Sequence, residues 1–131
     1  RPSRGDVDGL LERVGISAYA EERADSIPTG VARLLELARC LACDPKLLLL
    51  DEPSLGLAPA MINELFDVLA DLRDEGITIL LVDQMAVLAL AIADRGYVID
   101  SGKIVREDSA VNLAGDPDVE AAYLGHAAAA Q

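Results

Sequence analysis

Asp51 and Glu52 are adjacent carboxylates that follow four leucines, Leu47 to Leu50, and precede Pro53. A continuous apolar run without alternation suits a strand buried on both faces of a parallel sheet. In open α/β sheets, ligands bind beyond the carboxyl ends of such strands. The leucines would form a dry base from which the carboxylates project. Successive strand residues point to opposite sides, so one carboxylate can face a metal ion, directly or through water, while the other faces a water molecule. That division suits phosphoryl transfer. Mg²⁺ takes hard oxygen ligands and keeps several waters, and hydrolysis needs a carboxylate to orient and polarise the attacking water. A turn that only caps the strand would also explain Asp51-Glu52-Pro53, so the neighbouring elements must decide.

Those elements follow from apolar spacing. Val7, Leu10, Leu11 and Val14 predict a helix over about Asp6 to Val14, stopped by Gly15. The stretch Tyr19 to Asp25 is charged, with a helix as one reading, and Ile27-Pro28-Thr29-Gly30 reads as a loop. Val31 to Cys43 predicts a helix with Val31, Leu34, Leu35, Ala38, Leu41 and Ala42 on one face, ended by Asp44-Pro45. After the leucine strand, Ile62, Leu65, Phe66, Leu69 and Leu72 predict a helix over roughly Pro59 to Glu75, with Gly76 as its stop. Ile77 to Val82 is a second buried strand, and Met85 to Ala93 a short apolar helix. Asp100-Ser101-Gly102 separates two short strands as a hairpin turn. Short helices are expected near Val111 and Val119, and the tail from His126 is expected to fray. Strand-helix-strand at this spacing implies a right-handed crossover and a parallel sheet.

Composition narrows the class. The 131 residues suffice for one compact domain, with 52% hydrophobic but only 3% aromatic residues, so the core is aliphatic. Acidic residues outnumber basic ones 23 to 11, for a formal charge of -12. That balance argues against nucleic acid and against electrostatic docking on anionic lipid. No apolar stretch reaches the roughly 18–20 residues that span a bilayer, since Asp83 and Gln84 interrupt Ile77 to Ile92. Arg1 to Gly5 is polar and no apolar signal segment follows it, and the lack of an initiator Met fits a fragment or trimmed chain. Cys40 and Cys43 form a C-x-x-C pair. A redox pair is one reading. Their place within a predicted helix, without a second pair to complete a zinc site, favours small apolar residues packed in that helix.

With the neighbours included, the sequence resembles a known family. The run Leu47-Leu-Leu-Leu-Asp-Glu-Pro-Ser-Leu-Gly-Leu-Ala-Pro59 is similar to the Walker B and D-loop segment of ABC transporter ATPases, most narrowly those of branched-chain amino-acid importers. The likeness continues through Leu80-Leu-Val-Asp-Gln84, Ala93-Asp-Arg-Gly-Tyr-Val98, Ser101-Gly-Lys-Ile104 and Ala122-Tyr-Leu-Gly125, in the family's order and over nearly the whole chain. The resemblance implies an α/β fold, the C-terminal part of a P-loop NTPase-type domain with parallel strands, flanking helices and a β-hairpin near the C-terminus. It divides the chain into 1–45 (the end of a helical subdomain with the signature loop and helix), 46–107 (Walker B, D-loop and switch loop) and 108–131 (C-terminal helices and tail). It implies that Asp51 supports Mg²⁺, Glu52 is the catalytic base, and Ser54 to Ala58 form the D-loop facing an opposite protomer. Gln84 stands where most relatives carry a γ-phosphate-sensing histidine. An amide can still donate to a phosphate oxygen but cannot titrate as His does. The resemblance therefore implies that Gln84 senses the γ-phosphate as a catalytic residue, with a strand-end polar residue facing solvent as the alternative.

The sequence also departs from the family. Ile27-Pro28-Thr29-Gly30-Val31 occupies the place of the signature, usually written LSGGQ, and only Gly30 matches. Arg33, Leu35, Glu36, Ala38 and Arg39 fit one type of branched-chain subunit, so Thr29 and Gly30 are carried over as nucleotide-binding residues at a helix N-terminus. Ala58 replaces the D-loop aspartate of many relatives, which suits the branched-chain group. No G-x-x-x-x-G-K-S/T occurs. Gly102-Lys103 lies in the hairpin turn and is followed by Ile104. The phosphate loop is therefore expected upstream of Arg1, and the isolated segment is expected to be inactive. The resemblance implies ATP and Mg²⁺ as cofactors, with permease subunits and a second ATPase domain as partners. It implies a cytoplasmic place on the inner face of the membrane, held by the permease. The alternative is a non-hydrolysing regulatory or interaction module of the same fold.

Overall fold

A computed structural model describes residues 4–124; the tail from His126 lies outside them. The chain forms two compact units, Arg1–Val82 and Asp83–Gln131.

The first unit opens with α1, Arg4–Arg13. Gly15 ends it with φ +76, and the amides of Gly15 and Ile16 bond back to the carbonyls of Glu12 and Leu11. This is the doubly bonded glycine stop that satisfies otherwise orphaned helix carbonyls. A 3₁₀ turn, Ser17–Tyr19, follows. Tyr19 to Asp25 is not a helix beyond that turn. Arg23 pairs instead with Asp25 across one residue, at 2.8 Å, as an ion pair of exposed groups. Helix α2 spans Thr29–Leu41 and buries Gly30, Val31, Leu34, Leu37, Ala38 and Leu41. Leu37 joins this face, three residues from Leu34 and four from Leu41, while Leu35 is half-buried and Ala42, expected on the same face, is exposed beyond the helix end. Cys43 lies past the end of α2, and both cysteines are exposed and free. Cys40 thus lies in the helix the sequence suggested, on its exposed side, whereas Cys43 does not.

Strand β1, Leu47–Asp51, pairs in parallel with β2, Thr78–Val82, in the register Leu47↔Thr78 to Asp51↔Val82. Helix α3, Pro59–Asp74, makes the crossover such a pair requires. Proline at its first turn and the Gly76 stop (φ +95) set its ends. Leu65, Phe66, Leu69 and Leu72 form its buried stripe, and Leu69 and Leu72 are fully enclosed.

The strands are not buried on both faces. Leu48 is enclosed and its face-mates Leu50, Ile79 and Leu81 are half-buried, whereas Leu47, Leu49, Leu80 and Val82 are 52%, 68%, 55% and 50% exposed. The pleat alternates side chains between faces, and the second face is left largely exposed. An apolar run marks a strand fit for burial on both sides without itself supplying both covers.

In the second unit, α4 spans Ala86–Ile92. Strands β3, Arg95–Asp100, and β4, Lys103–Ser109, pair antiparallel with a bulge between Val98 and Ile99. Ser101 and Gly102 connect them with φ +50 and +76, the sign a two-residue hairpin loop needs to follow the strand twist. Ser109 caps α5, Ala110–Ala114, and Asp116 caps α6, Pro117–Val119, which runs into a π-helical turn, Glu120–Leu124. A Cβ at Gly96 would lie 2.6 Å from Leu113 Cδ1 and 3.2 Å from Leu90 Cδ2, so the missing side chain lets β3 sit closely against α4 and α5. No helix among the described residues is long and apolar enough to cross a membrane.

Leu69→Ala tests the first unit's core. The expected loss is about 2–5 kcal/mol of unfolding free energy, from lost burial plus the cavity left behind, measured by urea titration. A loss below about 1 kcal/mol would show that α3 does not pack as described.

Candidate functional site at the end of the parallel strand

Asp51 is the last residue of β1 and is exposed. Glu52 is half-buried and adopts φ +47, the left-handed region that L-residues rarely enter. Its amide donates to the Val82 carbonyl at 2.7 Å, and its own carbonyl accepts from the Leu55 amide at 3.1 Å. The parallel ladder thus reaches through the Glu52 amide, and the chain turns there at once, with Pro53 as the next residue. This corrects the sequence reading at one point. The carboxylates are not consecutive positions of a pleated strand, because Glu52 leaves the strand direction through its backbone. Left-handed conformations at non-glycine residues cost of order 1–3 kcal/mol and persist where their surroundings hold them. Here the ladder hydrogen bond to Val82 does so.

The loop continues with Ser54, which is buried and whose carbonyl accepts from the Leu57 amide at 3.1 Å. Gly56 has φ +79, as the third position of a type II turn requires. Leu57 is buried, and Ala58, extended, leads into α3.

Thr29 and Gly30 are the first two residues of α2, after Pro28. The first helical bond runs from the Ala32 amide to the Pro28 carbonyl at 3.0 Å, so the amides of Thr29, Gly30 and Val31 have no intrahelical partner and mark the positive end of the helix dipole. Thr29 is exposed and Gly30 buried. A Cβ at Gly30 would meet Met61 Sδ at 2.6 Å and Leu57 Cδ2 at 3.3 Å, so Gly30 sits against the end of the Ser54–Ala58 loop.

Gln84 belongs to the second unit, where it is exposed. Asp83 Oδ1 accepts from the Met85 amide at 2.8 Å, and the Gln84 carbonyl accepts from the Ala86 amide at 2.8 Å. Asp83 therefore bridges its own turn and fixes the backbone on both sides of Gln84 just before α4.

Among the described residues no three His, Cys, Asp or Glu side chains gather as a metal cage. Asp51 still fits a divalent cation of the Mg²⁺ type, which is commonly held by one or two carboxylates while phosphate oxygens and waters complete its shell.

Comparison with known proteins places this architecture. The family described as ABC transporter matches residues 2–55. The chain is 49% identical over 105 residues to the high-affinity branched-chain amino acid transport ATP-binding protein BraG of Pseudomonas aeruginosa, covering 80% of this chain and 45% of that protein. It is 39% identical over 118 residues to the corresponding LivG protein of Escherichia coli K12, covering 89% and 46%. The crystal structure of the ADP conformation of MJ1267, an ATP-binding cassette of an ABC transporter, aligns with a TM-score of 0.72 at 28% identity, over 95% of this chain and 52% of that one. The chain is similar to ABC transporter ATP-binding proteins, and its fold is that of their ATP-binding cassettes. It spans about half the length of the curated relatives it matches.

Within the ABC frame, Asp51, Glu52, Thr29 and Gly30 fall in the first unit, and Gln84 follows two residues after β2 in the second. Three features escaped the sequence reading. The left-handed Glu52 carries no local signal, because Glu is not among the residues that favour that conformation. The packing of Gly30 on Met61 and Leu57 joins positions distant in sequence. The Asp83 bridge had a signal, an Asp shortly before an apolar helix, which was absorbed into the reading of Gln84.

Two outcomes check this geometry. Glu52→Gly is expected to be more stable than Glu52→Val by at least about 1 kcal/mol, since only glycine adopts the left-handed region freely. Equal stabilities in urea titration would remove the strained backbone. Asp83→Ala is expected to speed hydrogen exchange at the Met85 amide, while Asp83→Asn, which keeps the acceptor, preserves protection. Equal rates in both variants would mean the bridge does not order this turn.

Proposed function

We propose that this chain is the Walker B to switch-loop half of an ATP-hydrolysing domain that energises an ABC importer for branched-chain or related amino acids. The observation that carries the reading is the adjacent carboxylate pair at the carboxyl end of a parallel strand, in a chain similar to branched-chain amino acid transport ATP-binding proteins. Asp51 supports Mg²⁺ bound to the nucleotide, and Glu52 orients and polarises the attacking water. Gln84 donates its amide to the γ-phosphate region. Thr29 and Gly30 present a hydroxyl, backbone amides and a helix N-terminus to nucleotide held by a second ATPase domain. Mg²⁺ supplies charge neutralisation on the phosphates.

The protein's own groups do the positioning. The Glu52–Val82 hydrogen bond fixes where the Glu52 backbone leaves the sheet, and Asp83 fixes the turn that carries Gln84. The bare apolar face of Leu47, Leu49, Leu80 and Val82 suits coverage by the part of the family's domain that this chain does not span. That part would also bring the phosphate loop. The partners are then permease subunits and a second ATPase domain, with the whole held at the cytoplasmic face of the membrane through the permease.

The departures of Pro28 and Val31 from the signature favour a second reading, a non-hydrolysing regulatory or interaction module of the same fold. One experiment separates them. In the complete protein, Glu52→Gln is expected to keep ATP binding and lower hydrolysis by at least 10²-fold, in line with loss of a general base. Unchanged hydrolysis would sink the assignment of Glu52. A wild-type protein that binds ATP without hydrolysing it would establish the second reading.

A further inference from the structure

The C-x-x-C pair plays no part in the nucleotide reading. Cys40 lies in the last turn of α2 and Cys43 just beyond it, and both thiols are exposed. The Cys43 amide donates to the Cys40 carbonyl at 3.1 Å, and the Asp44 amide to the Leu41 carbonyl at 3.0 Å. Asp44 takes φ +50 and ends the helix. A turn closed by a bond from residue i to residue i+3 holds its end Cα atoms within about 7 Å. A disulfide accepts Cα separations of about 4.4–6.8 Å, so the backbone already brings the two residues to bridging range. Helical Cβ atoms at this spacing stand about 5–6 Å apart, against roughly 3.5–4.5 Å in a disulfide. Closure therefore needs the final turn to tighten by about 1–2 Å. Ala42 and Cys43 are outside the helix and exposed, so the tightening can be taken up on that side of the buried Leu41. Its Sγ rests 3.9 Å from the Arg39 carbonyl oxygen and must swing from there toward Cys40.

We propose that Cys40 and Cys43 are a paired dithiol that low-molecular-weight disulfides oxidise to a reversible intrachain disulfide. One cysteine, as thiolate, attacks the reagent RS–SR. A mixed disulfide forms and one RS⁻ leaves, to be protonated by the proton that thiol lost. The second cysteine, also as thiolate, attacks the protein sulfur of that mixed disulfide. The protein S–S bond forms and the second RS⁻ leaves to take up the second proton. Two electrons pass from the protein to the reagent. The site is independent of the phosphate chemistry, so it stands whether or not the proposed function does.

The test uses the reduced chain under native conditions with glutathione disulfide, followed by intact-mass measurement, peptide mapping and thiol titration. The expected product has lost two hydrogens, carries no glutathione, maps to a Cys40–Cys43 link and reverts with dithiothreitol. Closure is expected to be several-fold faster in the native chain than in urea, because the turn holds the thiols together. Cys40→Ser and Cys43→Ser are each expected to stop at the mixed disulfide. Two stable glutathione adducts, chains linked to one another, thiols that stay reduced in excess reagent, or closure no faster than in urea would each overturn the proposal.

Discussion

The hydrogen bond from the Glu52 amide to the Val82 carbonyl is the constraint on which the site depends. It is the final rung of the β1–β2 ladder, and at 2.7 Å it is tight. At the other end the Thr78 amide bonds to the Lys46 carbonyl. Between these rungs the parallel register is fixed, so Asp51 lies opposite Val82 and the carboxylate pair begins where the sheet stops. The rung also holds Glu52 in a left-handed conformation. Without it the chain could relax into extended backbone, and Glu52 would become another strand residue.

Much of this architecture was legible in local patterns. Gly15 and Gly76 stop α1 and α3 because a left-handed residue there lets two amides reach back to helix carbonyls. Ser101-Gly102 closes the hairpin for a similar steric reason. The leucine run marked β1, and the ordered motifs marked the likeness to ABC transporter ATP-binding proteins. What was not legible depends on distant partners. Burial of Leu47 and Leu49 requires a covering layer, which no strand composition specifies. The inward turn of Leu37 depends on which face of α2 meets its neighbours. Cys40 is exposed because it shares the outward face of α2 with Glu36, and Cys43 because it lies past the helix end.

The candidate site divides the same way. Asp51 and Glu52 were visible from type and position, because two hard oxygen donors at a strand end are uncommon neighbours of an apolar run. They were read as consecutive positions of a pleated strand, whereas Glu52 leaves the strand through its backbone. Gly30 was singled out for its amide, yet its missing side chain is also used against Met61 and Leu57. Close packing is therefore a reason for glycine at that position. The sheet carries a related asymmetry. One face is packed, whereas the other presents Leu47, Leu49, Leu80 and Val82. An apolar face of this kind suits a chain that spans about half of its relatives' length.

On this account the carboxylates act on a nucleotide that other residues hold. Isothermal titration of MgATP into the 131-residue chain, beside the same titration into the complete domain, tests that claim most directly. The account predicts saturable binding to the complete domain and no measurable heat of binding to this chain alone. Tight, saturable binding by the 131-residue chain would contradict it, because the phosphate-holding groups would then have to lie among the residues described here.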